Sequence, residues 1–409
     1  MTDEQYLYLV LTAVYLTDCV SCVHIRGLVF RACRPGRFRW LRPSSQLGNP
    51  NGGWMFRFPL PPLGSFVVCG PWPFSVSPEG ILSYIAEAPQ ADRRADQVVM
   101  ALAWGDVRTV KCLDKEIHVN GSLFVRAASG LVAGHWVSLL NRLRNEKASN
   151  RAAAIQSQLS ETFCAPAARD RWNSLVRDAS DLRLACNSLF ALFFLFAPLA
   201  VWRMGWSLWL LIPAGAAVVN VAFIVLDFCR IHRKYYSKEN GHRRLHAAVM
   251  IANPLAAIRS VDVVSRDILA EFHPLTAANV LCQKDSVTRL ARSWLLDARH
   301  PMLPVCPTED RLAREIEEWY RRATIDAAEK FLSEIDLNPA ELLHPDPPDG
   351  ATVRSYCPRC LRQFEHATGN CESCGGISLQ TWDQNQNRAS IDEKAPIPQY
   401  ASTGLVAPP

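Results

Sequence analysis

Residues 184–226 carry one formal charge, Arg203. Residues 184–202 and 204–226 are each free of Asp, Glu, Lys and Arg. About twenty apolar residues rising 1.5 Å apiece cross a hydrocarbon layer of ~30 Å. Two such runs joined at a single arginine read as a helical transmembrane hairpin with a tight turn. Trp202, Trp206 and Trp209 gather at that turn, where amphipathic rings favour the membrane–water boundary. Pro198 and Pro213 fall inside the runs, which membrane helices tolerate.

Residues 5–23 form a third candidate span, apolar from Tyr6 to Val23 except for Asp18, Thr12, Thr17 and Ser21. Asp3 and Glu4 precede it where a secretory signal would be basic. The segment 24–52 that follows carries Arg26, Arg31, Arg34, Arg37, Arg39 and Arg42 and no acid up to Arg42. Basic residues collect on the cytoplasmic side of membrane proteins. The same rule applies to Arg230, Arg233, Lys234, Lys238, Arg243 and Arg244 after the hairpin. The expectation is a multi-pass protein of the inner (cell) membrane. Its N-terminus lies outside, and its soluble domains and C-terminus lie in the cytoplasm.

The 14 cysteines would suggest disulfides in a secreted chain. Most are scattered singly and read as small buried hydrophobes in a reducing compartment. Four differ: Cys357-Pro-Arg-Cys360 and Cys371-Glu-Ser-Cys374, two C-x-x-C knuckles ten residues apart. Each two-residue gap lets one turn present two thiolates, and a tetrahedral zinc ion takes four. The expected ligands are Cys357, Cys360, Cys371 and Cys374, holding structural Zn2+. With all four positions filled by cysteine, no coordination site is left open for catalysis. The segment 353–382 resembles the zinc-ribbon family in its CPxC…CxxCG form. That resemblance implies a docking, nucleic-acid-binding or purely structural module. Arg354, Arg359 and Arg362 read as a solvated basic face. Cys19-Val-Ser-Cys22 has the same internal spacing but lacks a second pair nearby.

Residues 53–145 read as a β-rich (α+β) domain closed by a helix. Short β-branched and aromatic runs alternate with turn residues, and Asn120-Gly121 between two such runs is a strong hairpin signal. Leu131, Val132, His135, Trp136, Leu139, Leu140 and Leu143 then line one helical stripe. This strand-then-helix order, with Trp104-Gly105-Asp106-Val107, resembles the pleckstrin-homology-like domains of bacterial membrane proteins. It implies binding of a partner or lipid headgroup.

Residues 146–183 read as a helical connector and 227–338 as a helical cytosolic domain. Within the latter, Thr308 is the expected cap of an amphipathic helix with the stripe Leu312, Ile316, Trp319, Tyr320, Ala323, Ala327, Phe331 and Ile335. That stripe is expected to pack on the helices of 245–300. Residues 339–352 read as a proline- and acid-rich linker, and 383–409 as a disordered tail.

No phosphate-binding glycine loop, H-E-x-x-H or nucleophile elbow occurs, and no catalytic or cofactor-binding residue is assigned. The expectation is a multi-domain membrane protein that anchors protein-interaction modules at the inner membrane. Its partners are the bilayer and other proteins rather than nucleic acid. Two alternatives stay open. One is a membrane-bound enzyme using residues such as His273, Asp297 or His300. The other is an accessory subunit of a transporter or secretion complex that meets its partner through Asn220 and Asp227.

Overall fold

The computed structural model describes residues 2–20, 22–25, 28–34, 37–41, 53–56, 66–70, 74–86, 97–127, 130–205, 207–236, 240–301, 310–346, 348, 352–374 and 376–382. They divide into two units: Met1–Ser293 with Pro304–Pro339, and Trp294–Leu303 with Ala340–Pro409. The tail 383–409, Thr308 and Trp206 lie outside the described residues.

In the first unit, helix α1 spans Asp3–Val20. It stops short of the expected Val23, because strand β1 (Cys22–Ile25) begins there and pairs with β4 (Gly53–Phe56). Cys19 and Cys22 therefore belong to different elements. Tyr15 is buried and packs edgewise on Phe190 and Phe194, at 6.1 and 5.4 Å between ring centroids. Tyr6 and Leu9 on other faces are exposed.

The described residues of the basic segment are in strands. β2 (Leu28–Arg34) pairs antiparallel with β3 (Arg37–Leu41) and β5 (Phe66–Cys69). Val29, Phe30 and Ala32 turn inward, while Arg39 stays exposed. Val68 N–H donates to the Arg266 carbonyl at 2.7 Å and Ser265 Oγ donates to the Phe66 carbonyl at 3.1 Å.

Two antiparallel three-stranded meanders follow. The first is β6 (Phe74–Val76), β7 (Gly80–Ala86) and β8 (Gln97–Ala103); the second is β9 (Val110–Leu113), β10 (Glu116–Val119) and β11 (Ser122–Arg126). The expected hairpin turn is present: Asn120 and Gly121 both have positive φ, 55° and 86°, as a type I′ turn requires. Asn120 Oδ1 accepts from the Arg108 and Thr109 backbone N–H groups, and its Nδ2 donates to the Asp106 carbonyl. Helix α2 (Gly130–Asn145) closes the meanders with Val132, Trp136, Leu139, Leu140 and Leu143. Phe74 meets Phe124 at 5.9 Å and Trp136 at 5.1 Å.

Helices α3 (Ala148–Thr162) and α4 (Ala165–Asp178) lead to α5 (Ser180–Ala191). A π turn over Leu192–Phe196, in which Ala197 N–H donates to the Leu192 carbonyl, joins α5 to α6 (Ala197–Met204). Pro198 lacks the N–H that would continue the α ladder, and the widened turn absorbs that loss. Gly205 turns the chain at φ 60°. After one 3-10 turn, α7 runs over Leu211–Tyr235. Ile224, Phe228 and Ile231 of α7, and Leu182, Cys186 and Leu189 of α5, are buried as these two helices pack together.

The helical stretches Ser180–Met204 and Leu208–Tyr235 are each long and apolar enough to cross a membrane. Only 22% and 17% of their most apolar windows are buried within the chain, so protein packing leaves most of this surface uncovered. Trp202, Leu208, Trp209, Leu211, Val218 and Leu226 are among the exposed residues.

Helices α8 (Asn240–Ala252), α9 (Pro254–Ala257), α10 (Ser260–Ser265), α11 (Pro274–Leu281) and α12 (Lys284–Arg299) follow. Helix α13 (Arg311–Glu334) is capped by Asp310, whose side chain accepts from Ala313 N–H at 3.0 Å. Its stripe packs on the meanders and α3 more than on the expected helices of 245–300, with Ala270 the residue of that range in the same buried core. Ile316 packs with Leu82, while Trp319, Tyr320, Ala323 and Ala327 join the core of Phe74, Ile81, Leu140 and Leu159. The meanders leave an apolar face beside α2, and α13 with α3 covers it.

In the second unit, α14 (Pro339–Leu343) occupies the start of the expected linker; proline is pre-set for the first turn of a helix. Strands β12 (Ser355–Tyr356), β13 (Gln363–Phe364) and β16 (Gln380–Thr381) form one small sheet; β14 (Asn370–Cys371) and β15 (Ile377–Ser378) form another.

Candidate metal centre

The two knuckles converge. The four sulfur atoms of Cys357, Cys360, Cys371 and Cys374 lie within 4.8 Å of one another, and Cys360 Sγ stands 3.8 Å from Cys371 Sγ. A tetrahedral ion with metal–sulfur bonds of ~2.3 Å requires sulfur–sulfur edges of ~3.8 Å. The cluster is compatible with a metal site and is too open for disulfides. Among the described residues it is the one group of three or more His, Cys, Asp and Glu side chains close enough to share an ion.

Local backbone geometry builds the cage. The N–H groups of Arg359 and Cys360 donate to the Cys357 sulfur, and that of Arg362 to the Cys360 sulfur. Leu361 N–H donates to the Cys357 carbonyl and Cys357 N–H to the Arg362 carbonyl, both at 2.9 Å. Leu361 adopts φ 57°, an uncommon conformation for leucine, to close this turn. Gly376 plays the equivalent part after the second knuckle at φ 85°, its N–H donating to the Cys371 carbonyl.

Cys357, Cys371 and Cys374 are buried, and Cys360 is exposed. Burial pushes the Cys357 and Cys374 thiols above their ordinary range. At Cys360 burial also acts upward, but the Arg362 N–H and the neighbouring thiols outweigh it, and the net direction is down. A bound cation would offset the burial that disfavours the thiolates of Cys357 and Cys374.

Around it, Phe364, Ile377 and Leu379 supply a minimal apolar shell. Tyr356 packs on Trp382 at 5.1 Å and donates from its hydroxyl to Gln380 Oε1 at 2.9 Å. So small a core is too little to hold the segment without a staple.

The basic rim divides. Arg354 and Arg362 are exposed. Arg359 is only 14% exposed and is not part of a solvated face: its Nη2 donates to Asp297 Oδ1 and its Nη1 to the His300 carbonyl, each at 2.9 Å. Sequence reading could not find this link, because the partners lie about sixty residues apart with no shared motif.

The other candidates have structural partners. His273 caps α11, its Nδ1 accepting from Leu275 N–H at 3.3 Å while the ring lies 4.4 Å from Phe163. Burial pushes this imidazole down to about 3, so it is the neutral acceptor the cap needs. Asp297 and His300 are engaged by Arg359. Asp227 is held by Arg230 at 2.7 Å.

Compared with known proteins, the chain matches no family model, no curated protein and no solved structure.

Proposed function

We propose that this chain is a multi-pass inner-membrane protein that presents cytosolic docking modules at the bilayer surface, one of them a zinc ribbon. One contrast carries the reading. The longest apolar helices are left largely uncovered by protein, and the cysteine cage is fully furnished with ligands. The first suits lipid as solvent, and the second suits a metal that organises a surface rather than one that reacts. Zinc is the ion best suited to four thiolates in a tetrahedron.

Helix α1 serves as the third span, with Tyr8 and Tyr15 laid against Phe190 and Phe194 of the hairpin. The arginine-rich sequences after α1 and after α7 support a topology in which the C-terminal ends of these two helices face the cytoplasm, with the N-terminus and the turn at Gly205 outside. Meanders β6–β8 and β9–β11 followed by α2 keep the strand-then-helix order of a pleckstrin-homology-like domain, the second docking module.

The test is fractionation and capture. Full-length protein should sediment with membranes and resist alkaline carbonate, and its C-terminus should be protected from protease added outside. Ribbon and β-rich surfaces should each enrich specific proteins from a detergent extract. Recovery in the soluble fraction, or cleavage of the C-terminus from outside, overturns the membrane reading; no enrichment by either surface overturns the docking role.

A further inference from the structure

The helical region after α7 has a feature that its composition only hints at. Between Arg244 and Arg259 lie fourteen residues without Asp, Glu, Lys or Arg, broken in the middle by Asn253-Pro254. Helix α8 turns back and packs along α7. Phe228 faces His246 at 6.3 Å, and His232 lies within electrostatic reach of His242 and Arg243. Those pairings fix an antiparallel register. Continued along α8, the same offset sets Met250 opposite Ile224 and Ile251 opposite Phe223. Met250 and Ile224 are both fully buried, as facing residues should be.

Phe223 lies within the charge-free run 204–226, about 6 Å inside Asp227 at 1.5 Å per residue. The end of α8 reaches that same level. Asn253 then halts the helix, its side chain accepting from Leu255 N–H at 3.2 Å as the cap of α9. The chain returns beside α5: Cys186 Sγ meets Ser260 Oγ at 3.1 Å and the Ala257 carbonyl at 3.5 Å. Cys186 sits just inside the charge-free run 184–202. Helix α9 also touches α1. On α8, Leu245, Val249 and Ile251 are 60, 43 and 66% exposed, and on α7 Phe223 and Leu226 are 48 and 72% exposed.

We propose that residues 245–258 form a re-entrant hairpin that enters the cytoplasmic leaflet and leaves on the same side, with acyl chains covering Leu245, Val249 and Ile251. Backbone broken at membrane depth is tolerated only when protein satisfies it. Here the cap at Asn253, the turn bonds Asn253 N–H to the Val249 carbonyl and Ala256 N–H to the Asn253 carbonyl, and Cys186 of α5 on the Ala257 carbonyl do so. Arg243 and Arg244 mark the entry at the headgroups; at the other end the first charge, Arg259, is buried in protein and paired with Asp262 at 3.2 Å. This inference rests on the membrane reading above and adds a fourth embedded segment to it.

The test uses full-length protein in phospholipid vesicles, with an environment-sensitive fluorescent amino acid placed singly at Ile251, Val249, Phe223, Val219 or Leu113. Quenching is compared for nitroxides on the acyl chain, nitroxides on the headgroup, and aqueous iodide. At Ile251, acyl-chain quenching should equal that at Phe223 and exceed that at Leu113 several-fold; Val249 repeats the reading if Ile251 does not tolerate the probe. Headgroup-only quenching at Ile251 and Val249, or quenching by iodide, overturns the hairpin while Phe223 and Val219 still report lipid. Iodide quenching at Val219 and Phe223 as well overturns the membrane reading itself.

Discussion

Arg359 reaches out of the first cysteine knuckle and donates to Asp297 at 2.9 Å, so the residue between two metal ligands is also the residue that fastens the ribbon to the end of α12. Its second donation, to the His300 carbonyl, makes the attachment two-pronged. Arg359→Ala should leave metal content unchanged but release this attachment. Asp297 is 42% exposed, so the pair contributes only about 1 kcal/mol. Hydrogen exchange of 294–300 should rise while that of the ribbon strands stays constant. Arg359→Lys should rescue poorly, since a single ammonium cannot span both acceptors in the same geometry.

Metal binding gives the sharpest chemical prediction. Metal analysis should return one zinc per chain, lost in Cys357→Ser/Cys371→Ser. Because burial raises the Cys357 and Cys374 thiols, binding must release their protons. Apparent affinity should therefore fall as pH is lowered, and proton release on titration with zinc should be measurable in weakly buffered solution. A pH-independent affinity would contradict this account of the cage.

Leu361 bears the conformation that glycine adopts freely. Leucine in this region costs on the order of 1 kcal/mol. Leu361→Gly should hold the metal at least as tightly as the native chain and resist chelator longer. The check is the rate of zinc transfer to a chromogenic chelator, which slows if the turn is the strained element. Leu361→Val should speed it, since a β-branched residue suits positive φ least.

Legibility in the sequence followed the range of the interactions. The knuckles at Cys357–Cys374, the hairpin at Asn120-Gly121 and the charge-free runs around Arg203 are local signals, each set by chemistry within a few residues. The strands at Leu28–Arg34 and Arg37–Leu41 were hidden because arginines dominate that stretch and its inward residues, Val29, Phe30 and Ala32, are few. The stripe of α13 was visible, but its destination was not. An amphipathic pattern says that one face is buried and not against what, and the open side of the β6–β8 meander was the better match for Ile316 and Tyr320. His273-Pro274 is legible as a helix boundary, because the residue before proline avoids the helical region, and α11 does start there; that the ring itself supplies the capping acceptor is not written in the dipeptide.

Gly80 opens β7 under the edge of β8. A methyl group there would lie well inside van der Waals contact distance of the Leu102 carbonyl oxygen and press Ile316 Cδ1 at 3.1 Å. The obstacle is backbone and cannot rotate away. Gly80→Ala should therefore lower stability by about 1–3 kcal/mol, the usual cost of overpacking. Phe124→Ala in the same core should cost about 3–5 kcal/mol through the cavity it leaves. Thermal unfolding in detergent should rank the two in that order, with metal content unchanged in both.

His273 couples the fold to acidity. Its ring is held at about 3 in the folded chain and titrates near 6.5 when unfolded. Between those values the unfolded chain carries the extra proton, so acid favours unfolding there. Stability from this site is complete above about 6.5 and is lost as pH falls toward 3, at roughly 1.4 kcal/mol per unit. His273→Asn keeps a side-chain acceptor for Leu275 N–H and removes the titration. The native melting temperature should fall more steeply than the variant's between pH 6.5 and the acid limit, and the two curves should run parallel above it. Parallel curves throughout would mean that the imidazole is solvated and free to charge, and the cap would then need another explanation.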